Sequence, residues 1–388
     1  MAKVKKASQT HRKKASSPRK KTTGGKSKQP SSATLETRLA RLDRELIKRI
    51  QERATLARQI GQARQAAGKA PGTLGPCEAM QDKHVADANK GKGPLPKRVL
   101  QAVFRELESG CRELLHETRI AVLGPLYSYT HLAAIRRFGQ SVEFVPVGTI
   151  AAVFEEVNRG HADFGLVPIE NSTDGRIADT LDMFTRLPVR ICGEVDLEIH
   201  HTLLAKCARS EIKEVYSKPQ ALSQCRNWLA KHLPSARLIE VTSTSTAASL
   251  AKEKPGAAAI ASLQAGIHYG LDILAESIED NPGNTTRFSV IGNESCPRSG
   301  NDRTAMMLQL EHRPGSLAEA LNIFKRSRLN LTWIESFPVP GRARVYLFFV
   351  EFEGHETDLR VRRATASLEK KALRLVTLGS FPSTGPVE

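Results

Sequence analysis

The sequence predicts a multidomain chain in which an all-α helical unit is followed by an α/β unit and then by an α+β unit. Three observations carry this. A chain of 388 residues is longer than one ordinary domain. Apolar residues recur at three- and four-residue steps from Leu35 to Ile60, the period of a helix. From Arg119 on, short apolar runs alternate with helical patterns, and from Thr304 the order reads β-α-β-β-α-β. The expected units are a tail at 1–33, a helical domain at 34–116, an α/β domain at 119–293 and an α+β domain at 303–382.

The tail is set apart by charge. Eleven lysines and arginines precede the first acid, Glu36, so the rest of the chain carries only +6 of the net +17. With Ser, Thr, Gly and Pro between the lysines and no large apolar residue beyond Val4, residues 1–33 cannot bury a core. They are expected to be a disordered, solubilising extension rather than a nucleic-acid arm, since no aromatic residue is present to stack on a base. No run of ~18 apolar residues suggests a membrane span, and no apolar signal core is seen at the N-terminus. The six cysteines lie far apart, with no C-x-x-C pair and no zinc spacing. A cytoplasmic, reduced protein without a structural metal is expected.

In the helical unit, Leu35, Leu39, Leu42, Leu46, Ile50, Ala54, Ala57 and Ile60 form one stripe, with Thr34 as the expected N-cap. A second helix is expected over residues 97–115, after a loop rich in Gly and Pro. Two helices make a thin core, so an intimate helical partner, and hence a dimer, is expected. This stretch resembles the all-helical class of chorismate mutase, through residues 39–47 (LARLDRELI), Glu52, Arg53 and Ile60-Gly61. The resemblance implies that Arg53 and Arg64, on one helix face, clamp a dianion. Glu36, Cys77, Cys111 and Leu115 depart from that family's pattern, and Arg64 replaces a lysine. An acid aimed at a dianion opposes binding, so weak or absent chorismate turnover is expected, against the alternative of a fully bifunctional enzyme.

In the α/β unit, ligands belong at the carboxyl ends of strands, where helix starts offer free N–H groups. Four turns qualify: residues 124–131, 168–172, 215–220 and 242–246. Ser217 with Gln220 fits a capping box. Residues 284–288 add an arginine beside a hydroxyl. Together these resemble prephenate dehydratase across residues 119–292, through GPLYSYTHLAA, VPIENSTDG, VYSKPQALSQC, STSTAA, AAIAS, YGLDIL and NTTRF. The resemblance implies two lobes around a cleft, as in a periplasmic binding protein. It also implies a reaction in which prephenate loses carbon dioxide and its ring hydroxyl, driven by aromatisation and without a cofactor. By resemblance Thr286 is the essential hydroxyl and Arg287 binds a carboxylate, while Asn171, Ser172, Ser128, Thr130, Gln220 and Phe288 line the site. Glu170 is either a general acid, if burial raises its pKa, or a structural carboxylate. Lys218 stands where the family usually has histidine, and His200 and His201 read as ordinary strand-edge residues.

The last unit resembles the ACT domain that follows the catalytic unit in prephenate dehydratases, through RPGSLAEAL, LNLTWIESFP and TLGSFP. The resemblance implies a homodimer or homotetramer that binds L-phenylalanine as feedback effector at Pro314, Gly315, Ser316, Leu317, Glu335 and Ser336. Phe337 replaces an arginine of the second motif. A reading from another class, a ligand sensor whose cleft only binds, has no use for a hydroxyl at position 286.

Overall fold

The computed structural model describes residues 31–67, 93–338 and 345–383. Residues 1–30 of the tail, the loop holding Cys77 and the Arg64 side chain lie outside the described residues, and the last of the expected tail, from Ser32, is already helical. The chain divides into two compact units, one ending at Glu52 and one beginning at Arg53. Helix α1 (Ser32–Ala66) runs from the first into the second. Its cap is one turn earlier than expected. Ser31 Oγ, not Thr34, accepts an N–H of the first turn, that of Thr34 at 3.4 Å. In the first unit Leu35, Leu39, Leu42 and Leu46 are all about half exposed or more, reaching 59% at Leu39 and Leu46.

In the second unit α2 (Lys97–Glu113) follows, and the bare Cα of Gly61 lets Leu115 lie where a Cβ would be 2.3 Å from its methyl. The α/β region then forms two sheets. The first contains β1 (Arg119–Leu123), β2 (Glu143–Val147), β3 (Phe164–Asn171), β4 (Gly175–Arg176), β5 (Arg190–Glu198) and β11 (Thr285–Gly292), with the main order β2-β1-β3-β11-β5. The second holds β6 (Thr202–Ala205), β7 (Glu214–Ser217), β8 (Arg237–Glu240), β9 (Ala257–Ala261) and β10 (Asp272–Ala275), in the order β10-β6-β9-β7-β8. The chain crosses from the first sheet to the second after β5 and returns before β11. The two crossings are bonded to each other, Ile199 N to Asn284 O at 2.8 Å and Ile278 N to His201 O at 2.9 Å. Two lobes joined by paired crossings follow directly from this connectivity.

Helices start where strands end. Ser128 caps α3 (Tyr129–Phe138), Thr149 caps α4 (Ile150–Asn158), and α5 (Ala178–Arg186) completes that lobe. In the second lobe come α6 (Pro219–Gln224), α7 (Arg226–His232), α8 (Thr244–Glu253) capped by Ser243, and α9 (Leu263–Tyr269) capped by Ser262. The expected capping box at Ser217 and Gln220 does not form. Lys218 is the N-cap and makes no side-chain cap bond, and buried Ser217 donates to the Ile260 carbonyl at 2.6 Å instead. That bond ties β7 to β9, and a buried hydroxyl takes whichever acceptor burial leaves it.

The last region is β12 (Asp302–Leu310), α10 (Ser316–Arg326), β13 (Leu331–Pro338), β14 (Tyr346–Glu353), α11 (Leu359–Glu369) and β15 (Ala372–Pro382). Its antiparallel order β13-β14-β12-β15 is that of a ferredoxin-like α+β unit. One face packs on α10 and α11 through Met306, Leu308, Phe324 and Phe352. The other shares a core with the first lobe. Phe337, Phe349 and Phe381 cluster with Phe154, Ile169 and Ile191, each worth ~1.5–3 kcal/mol on burial. At Gly379 a Cβ would come within 2.1 Å of the Ile191 carbonyl oxygen, so only glycine allows β15 this close to β5.

Candidate active site

Thr286 lies directly across from Asn171 in the β11–β3 register, and both side chains are buried. Asn171 Nδ2 is 2.8 Å from Thr286 Oγ1 and 2.9 Å from Asn284 Oδ1. The turn after β3 decides the direction of these bonds. Asn171 Oδ1 accepts the backbone N–H groups of Thr173 at 2.9 Å and Asp174 at 3.0 Å. A backbone N–H only donates, so that atom is the oxygen and the other is the amide NH2, which has no acceptor capacity. Thr286 Oγ therefore accepts from Asn171, and its own proton remains available to a ligand. Ser172 braces the same place, its Oγ accepting from Thr285 N at 2.9 Å.

Arg287 does not share this face. Successive side chains of a strand point to opposite sides, and Arg287 sits across from Glu170. Its guanidinium donates to Glu351 at 2.6 Å, pairs with Glu170 at 3.2 Å and Glu194 at 3.6 Å, and lies over the Trp333 ring at 5.1 Å. Burial works against its charge. The Glu351, Glu194 and Glu170 carboxylates outweigh that and hold its pKa above the ordinary arginine value. The expected carboxylate clamp beside Thr286 is thus a link from β11 to the C-terminal sheet. Glu170 goes with it, held on the Arg287 face and away from the Thr286 hydroxyl.

The other expected residues divide in the same way. Ser128 is buried as a cap, donating to Leu123 O at 2.8 Å and accepting from His131 N. Thr130 is buried in the first turn of α3, and Gln220 is exposed on α6. Phe288 is 2% exposed, packed with Ile120, Leu166 and Val290, and is a core residue rather than a cleft wall. Lys218 is exposed where α6 begins. The lobes meet at this level. Ser245 Oγ donates to Leu126 O at 2.6 Å and Ser262 Oγ to Tyr127 O at 3.3 Å, drawing the starts of α8 and α9 to the turn after β1. The turn after β1 is thereby bonded to the helix start that follows β9 and to the first turn of α8.

Sequence reasoning missed a second group. Asn284 Nδ2 donates to Gln224 Oε1 at 3.0 Å, and His201 Nε2 is 2.9 Å from the same oxygen. Tyr129 OH lies 3.0 Å from His201 Nδ1 and 2.7 Å from His200 O. His201 is buried, not an ordinary edge residue, and burial lowers its pKa. His200 pairs with buried Glu279 at 2.8 Å, and that hydrogen bond raises the His200 pKa. The available signal was a pair of histidines at a lobe crossing.

In the helical region Arg53 Nη1 is 3.1 Å from Cys111 Sγ and Nη2 is 3.5 Å from Glu108. In the C-terminal region a pocket of about 240 Å³ is lined by Arg313, Ser316, Leu317, Tyr346 and Phe348 among others. Ser316 Oγ is buried there with no protein partner. Gly315 precedes α10 at φ +86°, a conformation that suits glycine, and Pro314 is exposed. Glu335 instead pairs with Arg176 on β4, Ser336 is exposed on β13, and Phe337 lies in the shared core. No group of three or more His, Cys, Asp or Glu able to hold a metal occurs among the described residues, and no helix there is long and apolar enough to cross a membrane.

Residues 120–296 match the family Prephenate dehydratase, and residues 35–116 match Chorismate mutase type II. A bifunctional chorismate mutase/prephenate dehydratase of Aquifex aeolicus is 39% identical over 351 residues, covering 90% of this chain and 97% of that one. The prephenate dehydratase of Arthrobacter aurescens, solved in complex with L-Phe, superposes with a TM-score of 0.63 at 34% identity, over 69% of this chain and 90% of that one. A chain described as a novel type of quorum-quenching acylase gives the same TM-score, 0.63, at 26% identity, over 69% of this chain and 98% of that one. Fold alone therefore does not select the chemistry, and the site residues must. With both domain families matched in order and near-complete coverage of a relative at 39% identity, the chain belongs to the bifunctional chorismate mutase/prephenate dehydratase family.

Proposed function

We propose that the cleft is the dehydratase site and that Thr286 is the donor to the departing hydroxyl of prephenate. The observation that carries this is the directed bond from Asn171, which leaves the threonine proton unused by that partner and free to be donated. In the reaction the ring carboxylate leaves as carbon dioxide, its bonding pair enters the ring, and the ring hydroxyl leaves as hydroxide, to be protonated to water. Charge grows on that oxygen in the transition state, so a prealigned donor acts where it is most effective. The carboxylates are held by Lys218 and by the N–H groups at the starts of α3, α8 and α9, with exposed Gln220 in the first turn of α6. Glu170 and Arg287 act from behind the site.

The C-terminal region is read as an ACT domain whose pocket at Arg313, Ser316 and Leu317, beside Gly315, takes L-phenylalanine. The buried, unpartnered Ser316 hydroxyl supports a polar ligand there, and about 240 Å³ suits a single amino acid rather than a drug-sized molecule of ~300–1,000 Å³. The exposed leucine stripe of α1 is read as a homodimer contact, and a cytoplasmic location fits the pathway. Chorismate turnover is expected to be weak, since Arg53 is already engaged by Glu108. The test is conversion of prephenate to phenylpyruvate by purified protein and by Thr286→Ala. Turnover that survives this substitution would remove the assigned role.

A further inference from the structure

The bond that aims Thr286 is the first of a chain, and its direction propagates. Asn284 Oδ1 receives a hydrogen from Asn171 Nδ2, so it is the carbonyl oxygen, and the remaining Asn284 nitrogen must donate to Gln224 at 3.0 Å. The Gln224 atom it meets is therefore oxygen. His201 Nε2, 2.9 Å from that oxygen, must in turn carry a hydrogen. Burial disfavours the charged form of His201, and its Nδ1 faces the Tyr129 hydroxyl at 3.0 Å, whose hydrogen goes to the His200 carbonyl at 2.7 Å. Two backbone N–H groups, those of Thr173 and Asp174, thus dictate the polarity of Asn171, Thr286, Asn284 and Gln224 and place a hydrogen on His201 Nε2.

The positions of these groups are as informative as their polarity. Thr286, Asn171 and Tyr129 belong to the first lobe, while Asn284 and His201 lie one on each crossing between lobes. Gln224, at the end of α6, is the member of this chain that the second lobe contributes. Its single carbonyl oxygen accepts from both crossings at once, and its backbone carbonyl accepts from Asp280 N at 2.7 Å, which fixes the helix to the return crossing.

Resting on the dehydratase reading above, we infer that Gln224 is a positioning residue for the reaction. Its acceptor oxygen holds Asn284, which holds Asn171, which aims the Thr286 proton into the cleft. Without that oxygen the Asn284 nitrogen is left buried and unpaired. Rotating the carboxamide presents an NH2 to the NH2 of Asn171; Thr173 N and Asp174 N still fix the direction of Asn171, but the repulsion shifts its Nδ2 and with it the Thr286 hydroxyl. Since Gln224 travels with the second lobe, Thr286 is fully aimed only when the lobes stand as they do here.

The test compares Gln224→Leu, Thr286→Ala and Gln224→Glu in the full chain. The Glu variant is built with Asp174→Asn, because Gln224 Nε2 lies 3.4 Å from Asp174 Oδ2 and a second carboxylate there would repel. Asp174→Asn alone is the reference. Misplacing a reacting group by ~1 Å costs ~10²-fold. Gln224→Leu, one link further away, is expected to lower kcat about tenfold or more with KM changed less than about threefold. Gln224→Glu keeps the acceptor and the volume, and should hold kcat within about threefold of its reference. Melting curves on each variant establish that the fold is intact. Wild-type kcat in Gln224→Leu, with Thr286→Ala inactive, would overturn the inference and leave the dehydratase reading standing. Equal loss in the Leu and Glu variants would overturn the role of the acceptor oxygen and assign the effect to the amide NH2 that both variants lack. Full activity in Thr286→Ala would overturn the reading and the inference together.

Discussion

Asn171→Asp is nearly isosteric and tests the direction of one hydrogen bond. The aspartate oxygen replacing Oδ1 still accepts from Thr173 N and Asp174 N. The oxygen replacing Nδ2 has no hydrogen, so the Thr286 hydroxyl, 2.8 Å away, must turn and donate to it. The proton meant for the leaving group is then consumed. Removing one transition-state donor costs about 2.7–4 kcal/mol. A new carboxylate roughly 5 Å from the departing oxygen adds repulsion of about 3 kcal/mol at an effective dielectric of ~20, the upper end of what solvent leaves. The expected loss in kcat for prephenate is therefore at least about 10³-fold, read by phenylpyruvate formation. The sign of the pH dependence is equally specific. Burial raises the pKa of such an aspartic acid, and on protonation it regains a hydrogen to donate, so activity of the variant should rise as pH falls. A variant within threefold of wild type at neutral pH would refute the directed-donor argument.

Thr286→Ser keeps the hydroxyl and should lose less than about tenfold in kcat, whereas Thr286→Ala should lose orders of magnitude; both are read in the same assay. His131 is 4% exposed, and burial, then the nearby His268, brings its pKa from 6.5 to about 4. The unfolded chain binds the extra proton first, so stability is complete above pH ~6.5 and falls toward pH 4 by up to ~3 kcal/mol. His131→Asn, which can keep the acceptor for Tyr127 N, should flatten that part of a denaturant-midpoint profile against pH. Gly315→Ala meets no neighbour within 4 Å but must hold φ +86°, costing about 1–2 kcal/mol. It should weaken inhibition by L-phenylalanine while leaving uninhibited kcat unchanged, seen in inhibition curves. Chorismate consumption by the full chain should be far slower than prephenate consumption, and comparable rates would restore the fully bifunctional reading.

Local signals were legible. The turns expected to lead into helices, residues 124–131 and 242–246, do hold the caps Ser128 and Ser243, although the caps expected at Thr34 and at Ser217 with Gln220 do not form. The β-α-β-β-α-β order emerged from period alone, and Thr286 and Asn171 were singled out in blocks 115 residues apart in sequence. What failed was the step from a block to a side-chain direction. Ser217 was given a capping role that an adjacent strand had already taken. Phe288 was placed in the cleft because strand alternation puts it on the Thr286 face; its packing with Ile120, Leu166 and Val290 puts it in the core. Gln224 and His201 could not be joined from sequence, because their bond spans a gap of 23 residues and exists only once a helix of one lobe meets a crossing.

Arg287 shows why that step matters. Its adjacency to Thr286 invited one shared role, yet neighbours on a strand cannot face one ligand. The signal for its real partner lay in β14, where Glu351 interrupts the apolar run from Leu347 to Phe352 and is buried at 2%. A buried carboxylate requires a cation, and the one it receives is on the catalytic strand. A guanidinium shared among Glu351, Glu194 and Glu170 has little field left for a fourth carboxylate, so the dianion must find its positive charge on the other wall. That gives the replacement of histidine by Lys218 a physical reading. On the proposed function, a permanent cation at the start of α6, one turn and a half before Gln224, places the substrate's counter-charge and the acceptor that holds Asn284 on the same short helix.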